Sequence, residues 1–311
     1  MDKTTQSSNL ANPSRLVPAV GDPVSSFWRR LRRGTHLLRR SADWDRFAGE
    51  GWESRLMTEP VTDRLHEKQG RSIGRRVFSS DGAVLSVYLK RHYTLPRLHG
   101  MLATFFPDHA WSPGLQEWHN LMWAASQGLP VPRPVAAGQM VGPGFRLQGF
   151  LAVEELHGML ALHEAIPLAF KQLSPLAFDN WKRGLTAELA RLARELHRRK
   201  VFHKDLYFCH FYIPELFTLS PPTNWVNRVV MIDLHRLARH RFTAPWWQAK
   251  DLAQLLHSSD VAGVTLRDRV RFWRLYRTGW PGRAPGNWLL PLVRWKWRLY
   301  DRHARRHASQ E

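Results

Sequence analysis

The sequence predicts an α+β protein of two lobes, in which a small β-rich lobe precedes a larger, mainly helical one. Short runs of alternating β-branched and aromatic residues, separated by glycines, occupy residues 65–157. Helical periodicity dominates residues 158–311. With 311 residues, 43% of them hydrophobic, the chain is long enough to bury the cores of two lobes.

Composition narrows the class of protein further. The single cysteine, Cys209, excludes an intramolecular disulfide and suits a reducing compartment, and we expect its side chain to be a small buried apolar group. No run of about 18 apolar residues predicts a membrane-spanning helix. The first residues lack the apolar segment of a secretory signal, so we expect a soluble or peripheral protein.

Charge indicates the kind of partner. Lys and Arg total 46 against 26 Asp and Glu, which gives a formal net charge of +20. Such a field concentrates polyanions, whether nucleic acid, an anionic membrane surface or a phosphorylated glycolipid. A merely solubilising basic surface is the alternative, and charge alone does not choose among these.

The N-terminal region stands apart from the predicted lobes. Residues 1–24 are rich in Ser, Thr, Asn and Pro and predict a flexible tail. In residues 25–64, apolar side chains and arginines alternate at near-helical spacing as far as Arg40. This basic amphipathic extension is typical of a helix on an anionic membrane surface, and equally of a surface helix with an arginine face.

Local signals order the β-rich lobe. Asp81-Gly82 predicts a tight hairpin turn between two strand-like runs. A helix is predicted over residues 111–127, with Ser112 as its cap and Gly128 closing it. Two further strand-like runs follow and end at Leu156.

The helical lobe begins with an amphipathic helix over residues 179–199. Residues 211–213 and 229–232 can pair as a β-hairpin, and helices occupy most of residues 245–311. The basic, Trp-rich segment 288–300 suits a membrane interface or packing against this lobe, and packing is the favoured interpretation.

The residues that carry chemistry flank that hairpin. His203-Lys204-Asp205 follows the long helix, His210 precedes the first hairpin strand, and Asp233 ends the second. Phosphoryl transfer needs one carboxylate to orient the acceptor hydroxyl and another to hold a cation. Asp205 suits the first role and Asp233 the second, and His210 lies where a second cation ligand or a phosphate contact is needed. A zinc site is disfavoured, because other histidines lack partners at ligand spacing.

Residues 203–211, His-Lys-Asp-Leu-Tyr-Phe-Cys-His-Phe, closely resemble the catalytic loop of the bacterial lipopolysaccharide core kinases. These are the heptose and 3-deoxy-octulosonic acid (Kdo) kinases, which share a protein-kinase-like fold. In that loop, as here, a His (His210) stands where protein kinases have Asn. The resemblance continues through residues 232–236, 250–255 and 267–274, and covers roughly residues 65–280.

The resemblance implies an ATP- and Mg²⁺-dependent kinase that phosphorylates a sugar hydroxyl of a lipopolysaccharide core-like glycolipid. It implies a cytoplasmic protein, peripheral at the inner membrane, whose partner is an anionic glycolipid or sugar rather than nucleic acid. Asp205 would be the catalytic residue, and His210 and Asp233 the metal ligands.

The same resemblance implies further site residues in the β-rich lobe. Lys90 would contact the α- and β-phosphates of ATP, and Glu117 would pair with it. The loop from Gly70 to Gly74 would cover the phosphates, although it lacks the denser glycine pattern of protein kinases.

A hinge and a brace complete the implied site. The hinge from Glu154 to Leu156 would meet adenine through backbone groups, and Asp251 would brace the catalytic loop from a neighbouring helix. His203 is interpreted as structural, whereas His235 and Arg236 are left open between contacting phosphate and bracing the loop.

Two alternatives stand beside this hypothesis. A kinase-fold enzyme with a protein or small soluble acceptor is one, although no Ala-Pro-Glu segment follows Asp233 as in ordinary protein kinases. The other is a non-catalytic basic scaffold on membrane or nucleic acid. A scaffold has no physical need for a complete set of phosphotransfer residues, namely Lys90, Glu117, Asp205 and Asp233.

Overall fold

A computed structural model describes residues 27–58, 70–280 and 284–308. The predicted tail 1–24, the ends of the basic extension and the start of the predicted β-rich lobe at 65–69 lie outside these residues. The chain divides into two compact units. The first comprises Met1–Trp118 and Arg133–Glu155, and the second His119–Pro132 and Leu156–Glu311.

The first unit is built on a five-stranded antiparallel sheet with the strand order β1-β4-β5-β3-β2. Its elements in chain order are α1 (Phe27–Arg33), β1 (Thr35–Arg40), α2 (Trp44–Ala48), α3 (Trp52–Thr58), β2 (Arg71–Ser80), β3 (Ala83–His92), α4 (Arg97–Phe105), α5 (Pro113–Ser126), β4 (Pro134–Gly142) and β5 (Arg146–Glu154). Helix α5 begins in the first unit and ends in the second.

The basic extension is part of this unit rather than an addition to it. The interpretation of residues 37–40 as helical is wrong, because they form β1, which pairs with β4 from Thr35↔Val141 to Arg40↔Ala136. Trp44 and Trp52 are almost fully buried and meet edge to face, with ring centroids 5.6 Å apart. Burying a large apolar side chain contributes about 1.5–3 kcal/mol, so this segment stabilises the sheet that it covers.

The predicted hairpin and helix are confirmed. Asp81 and Gly82 join β2 to β3, and both have positive φ angles (50° and 75°). Antiparallel pairing then runs from Ser80↔Ala83 to Arg71↔His92, which places Lys90 at the far end of the hairpin from the turn. Ahead of α5, the Ser112 hydroxyl accepts a hydrogen bond from the Leu115 amide.

The second unit is mainly helical. After α5, its elements are β6 (Met159–Ala161), α6 (Leu162–Gln172), α7 (Pro175–Arg198), β7 (Val201–Phe202), β8 (Phe211–Pro214), β9 (Val230–Met231), β10 (Ala238–Arg239), α8 (Ala244–Ser258), α9 (Leu266–Arg277) and α10 (Leu289–Ala308). The short strands form a sheet of order β6-β8-β9 and a separate pair of β7 and β10.

The Trp-rich segment packs against this helical unit, as the sequence favoured. The rings of Trp295 on α10 and Trp246 on α8 lie 5.7 Å apart, and the Lys296 ammonium lies 3.2 Å from the Trp246 ring centroid. Leu289 and Val293 on the same helix are buried. Across the described residues, no helix combines the length and apolar character needed to cross a bilayer.

Candidate active site

The hairpin predicted from the sequence brings His210 and Asp233 together. Phe211 of β8 pairs with Met231 of β9, and the Ile232 amide donates a 2.9 Å hydrogen bond to the His210 carbonyl. His210 Nε2 then lies 3.7 Å from Asp233 Oδ2. The pairing of β8 with β9 in the second unit therefore brings an imidazole and a carboxylate close together.

Asp251 on α8 braces the loop that carries Asp205, as expected. Its fully buried carboxylate accepts hydrogen bonds from the backbone amides of His203 (2.9 Å) and Lys204 (2.8 Å). It also contacts His197 Nε2 at 3.2 Å. A buried carboxylate that accepts several hydrogen bonds is held rigidly, so Asp251 fixes the position of the backbone immediately before Asp205.

Two residues of the candidate site adopt left-handed backbone conformations. Lys204 has φ +69°, and Asp233 has φ +62°. Such conformations cost of order 1 kcal/mol or more for residues with a side chain, and they concentrate at functional sites. The Asp251 contact to the Lys204 amide and the β9 pairing before Asp233 hold the two turns in place.

The carboxylate of Asp205 is surrounded by donors. Arg236 Nη1 lies 3.1 and 3.0 Å from its two oxygens, Lys250 Nζ lies 4.0 Å away, and Gln254 Nε2 lies 3.4 Å away. The side chain of Asp205 is 18% exposed, so it keeps access to solvent.

The imidazole of His210 lies between Asp205 and Asp233 and contacts both residues. Its Nδ1 donates a 2.6 Å hydrogen bond to the Asp205 backbone carbonyl. Burial disfavours the charged ring, but the hydrogen bonds to Cys209 and to that carbonyl, with the Asp233 charge, outweigh burial and raise the His210 pKa to about 9. His210 is therefore cationic at neutral pH unless a bound cation displaces its proton.

His203 is structural, as interpreted, whereas the expectation for Cys209 is wrong. His203 is fully buried, and its Nε2 donates to the Ile232 carbonyl at 3.0 Å. Burial lowers its pKa, so the ring stays neutral. Cys209 is exposed, because the 3₁₀ turn Phe208–His210 directs Phe208 into the core and the thiol outward.

The turn after Asp233 contacts both carboxylates. His235 Nδ1 donates to Asp233 Oδ1 at 2.9 Å, and Arg236 contacts Asp205 as described. Both residues lie in the 3₁₀ turn Leu234–Arg236. In this structure both side chains are therefore partners of the carboxylates.

The first unit contains the Lys90–Glu117 ion pair that the resemblance implies. Lys90 Nζ lies 2.8 and 3.1 Å from the two Glu117 oxygens. Glu117 is 4% exposed, so little water screens its attraction to the Lys90 ammonium. The neighbouring Arg91 faces the other side of β3, where it is buried and donates to the Ser72 hydroxyl and the Leu56 carbonyl.

The segment from Gly70 to Gly74 is not the loop that was expected. Residues from Arg71 onward belong to β2 and pair continuously with β3, with Ile73 opposite Lys90 and Gly74 opposite Leu89. Ladder pairing is available because β3 continues to His92, so the segment extends the strand rather than leaving it. Gly70 itself precedes the strand with φ +71°.

The residues expected to form the hinge, Glu154 to Leu156, lie at and just after the end of β5. The Glu154 amide donates to the Arg133 carbonyl, and the Glu155 amide donates to the Ser86 carbonyl, both at 2.9 Å. The Glu154 carboxylate pairs with Arg133 at 2.7 Å. The boundary between the two units falls between Glu155 and Leu156.

Sequence reasoning missed Lys250 and Gln254 as neighbours of Asp205. Helical spacing could have indicated them, because Lys250, Asp251 and Gln254 lie within about one turn of α8. Asp251 was already expected to brace the catalytic loop, so its neighbours on that helix were candidates. In the part of the chain that the structure describes, no group of three or more His, Cys, Asp or Glu side chains could hold a metal ion.

Fold and site together define a kinase-like protein. The sequence model of the lipopolysaccharide kinase (Kdo/WaaP) family matches residues 61–276, and the chain belongs to that family. A lipopolysaccharide core heptose(I) kinase WaaP of Pseudomonas aeruginosa is 34% identical over 161 residues, which are 52% of this chain and 58% of that protein. The WaaP of Escherichia coli K12 is 28% identical over 161 residues, with the same coverage.

A solved structure shares the fold across most of the chain. A WaaP in complex with acyl carrier protein is 26% identical in sequence and superposes with a TM-score of 0.62. The match covers 85% of this chain and 98% of that one. By sequence, the chain spans little more than half the length of the curated relatives it matches, 58% for each of the two WaaP proteins above.

Proposed function

We propose that this protein is an ATP-dependent kinase that phosphorylates a sugar hydroxyl of a lipopolysaccharide core-like glycolipid. The observation that carries the proposal is the braced loop in which His210 donates to the Asp205 backbone carbonyl through one ring nitrogen and lies 3.7 Å from Asp233 Oδ2 through the other. Family membership supports the reaction class, and the relatives named as heptose(I) kinases support a sugar acceptor.

The residues divide the chemistry of phosphoryl transfer. The acceptor oxygen forms a bond to the γ-phosphorus while the bond from that phosphorus to the β,γ-bridging oxygen breaks, and ADP leaves. Asp205 orients the acceptor hydroxyl and receives its proton. Because the transition state is loose, positioning and charge stabilisation contribute most of the acceleration.

Asp233 and His210 would hold Mg²⁺. A carboxylate and an imidazole 3.7 Å apart suit a cation that takes only one or two ligands from the protein. When bound, Mg²⁺ neutralises charge on the β- and γ-phosphates. His210 would hold the cation through its neutral imidazole, so Mg²⁺ binding would be favoured as pH rises.

The first unit supplies groups for the nucleotide. Lys90, held by Glu117, would neutralise the α- and β-phosphates. Gly70 and Gly74 lie at the end of β2 that pairs beside Lys90, and glycine lets the backbone approach a phosphate closely. Because the amides of Glu154 and Glu155 are already hydrogen-bonded, adenine would meet the remaining backbone groups as far as Leu156.

A basic aromatic face in the first unit supports a peripheral position on the cytoplasmic side of the inner membrane. Phe27 of α1 stacks on Phe105 of α4 with centroids 5.0 Å apart, and Trp28 is 67% exposed. Neither helix contains an acidic residue, and α1 carries four arginines. An apolar face edged by arginines suits an anionic bilayer, so Trp28→Ala should reduce sedimentation with vesicles containing phosphatidylglycerol.

The second unit contains an apolar cavity of about 140 Å³, lined by residues that include Trp181, Leu189, Leu252 and Phe272. The similar solved structure is a WaaP in complex with acyl carrier protein. We propose that this chain also binds an acyl carrier protein, because an acyl chain is the ligand that such a lining accepts. Leu189→Trp should fill the cavity and weaken co-elution with the acylated carrier, while the non-acylated carrier serves as the control.

The deciding experiment measures transfer of labelled γ-phosphate from ATP–Mg²⁺ to lipopolysaccharide core from cells that lack this kinase, both as isolated and after dephosphorylation, for the wild type and for Asp205→Ala. Label in the glycolipid that is lost in the variant is the expected result. ATP turnover without labelled glycolipid would keep a kinase but reject this acceptor. A folded wild type that neither binds nor turns over ATP would reject the kinase in favour of a basic scaffold.

A further inference from the structure

Three cationic side chains converge near Asp205, and we refer to Lys204, Arg236 and Lys250 as the cation cluster. Arg236 and Lys250 approach the Asp205 carboxylate at 3.0 and 4.0 Å. Lys204 and Lys250 share the face of Trp247, with their ammonium groups 4.7 and 5.6 Å from its ring centroid. One carboxylate and one indole ring therefore hold three cations in a small volume.

The cluster carries more positive charge than its protein partners neutralise. Among the described residues, Arg236 and Lys250 form ion pairs with Asp205 and with no other carboxylate, and Lys204 forms none. Burial lowers the pKa of Lys204 and of Lys250, and repulsion from Arg236 lowers both further, whereas Asp205 and Asp251 attract both ammonium groups; three cations therefore face two carboxylates. Cations that are grouped and partly buried repel one another, and this costs free energy unless an anion compensates their charge.

Arg236 and Lys250 lie beside the proposed catalytic carboxylate of Asp205 rather than beside the His210–Asp233 pair. In the described part of the chain, neither Arg236 nor Lys250 contacts Asp233, whose carboxylate instead lies beside His210 and His235. An acceptor hydroxyl must reach Asp205 to be phosphorylated. A charged group on the same acceptor is therefore delivered to the cation cluster.

We propose that Lys204, Arg236 and Lys250 bind an anionic group of the acceptor, a carboxylate or a phosphate ester, close to the hydroxyl that is phosphorylated. This inference rests on the proposed function and names the acceptor's second recognition element. The planar guanidinium of Arg236 presents paired donors that match either group.

The same contact couples recognition to catalysis. In the structure, Arg236 Nη1 contacts both oxygens of Asp205. Its side chain is 49% exposed, so it is free to turn toward an incoming anion. When the acceptor's anion takes up Arg236, the Asp205 oxygens become available to the hydroxyl. An acceptor that lacks the anion leaves Arg236 on the Asp205 oxygens, so the kinase discriminates against that acceptor.

Binding in the absence of ATP and Mg²⁺ tests the inference without relying on transfer. Labelled core glycolipid would be offered in native, carboxyl-reduced and dephosphorylated forms to the wild type, Arg236→Gln and Arg183→Gln. Arg183 is a 60% exposed arginine paired with Asp179, so its variant is a matched control. We expect one modification to weaken wild-type binding about tenfold or more, and that modification identifies the anion as carboxylate or phosphate.

Arg236→Gln should bind the native glycolipid about tenfold more weakly and should no longer distinguish the form that lacks this anion. Equal loss against all three forms, or wild-type affinity for the native form, would overturn the inference. Arg236→Lys should recover part of the affinity, and Lys204→Gln and Lys250→Gln should weaken binding in the same selective way.

Kinetics separate the acceptor from the nucleotide. In Arg236→Gln the KM for the glycolipid should rise about tenfold, while the KM for ATP stays within about twofold of the wild type. A rise in the KM for ATP instead would assign the cluster to the nucleotide and reject the inference. A wild type that binds the native glycolipid selectively but transfers no phosphate would contradict the proposed function while leaving the anion site established.

Discussion

Asp251 accepts a 2.8 Å hydrogen bond from the backbone amide of Lys204, a residue whose backbone is left-handed at φ +69°. The contact reaches from α8 to the residue immediately before Asp205. Because the carboxylate is fully buried and also receives the His203 amide, it fixes the loop without being exposed to substrate. The position of the proposed catalytic carboxylate therefore depends on a residue that performs no chemistry.

Replacing Asp251 tests that dependence. Asp251→Asn should lower the free energy of unfolding by about 3 kcal/mol, because the buried amides and His197 lose a charged acceptor. It should also lower kcat about 100-fold through misplacement of Asp205. Urea unfolding and steady-state kinetics measure the two effects. Asp108→Asn, at an exposed position, is the control; wild-type kcat in a correctly folded Asp251→Asn protein would contradict the bracing role.

The Lys90–Glu117 pair predicts a nucleotide-specific defect. Glu117→Gln keeps the shape of the side chain but removes the charge that holds the Lys90 ammonium, 2.8 Å away. We expect kcat/KM for ATP to fall about 10- to 100-fold, with the KM for the glycolipid unchanged. Glu164→Gln, an exposed change on α6, is the matched control and should behave as the wild type. An equal defect for both substrates would argue that the pair supports folding instead.

His210 predicts a graded response to substitution. Asparagine offers an oxygen ligand of the kind that Mg²⁺ prefers, whereas alanine offers none. His210→Asn should therefore retain at least about a tenth of the wild-type kcat, and His210→Ala should lose about 100-fold or more. Titration of activity with MgCl₂ checks the reason, since His210→Ala should need a higher Mg²⁺ concentration for half-maximal rate. Identical Mg²⁺ dependence in all three proteins would remove His210 from the metal site.

The buried Lys182–Asp268 pair predicts a pH-dependent contribution to stability. Lys182 Nζ lies 2.7 Å from Asp268 Oδ2, and Thr265 also donates to that carboxylate. Burial opposes ionisation, but these donors outweigh it and lower the Asp268 pKa below its ordinary 3.8. The stabilisation is therefore nearly complete above about pH 5 and declines as pH falls through the ordinary Asp pKa, because the unfolded chain takes up its proton first.

Asp268→Asn should cost about 3 kcal/mol in the free energy of unfolding at pH 7, and the difference from the wild type should narrow below pH 4. Urea midpoints at pH 7, 5, 4 and 3 measure this trend. Asp260→Asn, whose carboxyl side chain is 92% exposed, should change stability by less than about 0.5 kcal/mol. A constant difference between wild type and Asp268→Asn at all four pH values would contradict the loss of this stabilisation in acid.

Local patterns were sufficient for much of the fold and for the residues that carry chemistry. The Asp81-Gly82 turn, the Ser112 cap and the amphipathic α7 were predictable because turn geometry, capping and helical periodicity are properties of neighbouring residues. The hairpin of β8 and β9 was predictable for the same reason, and with it the approach of His210 to Asp233.

Tertiary structure decided what depended on distant partners. Residues 35–40 form a strand only because β4, about 100 residues later, offers a ladder edge, and their own spacing suggested a helix. Likewise, the segment after Gly70 is a strand because it pairs continuously with β3. Cys209 is exposed because it lies in a 3₁₀ turn. The placing of Arg236 and Lys250 at Asp205 joins three separate chain segments. The sequence by itself determined which side chains are available for phosphoryl transfer, because that depends on residue type and local order. Only the folded chain determined which cations surround Asp205, because long-range packing of α8 and the turn after β9 sets those distances.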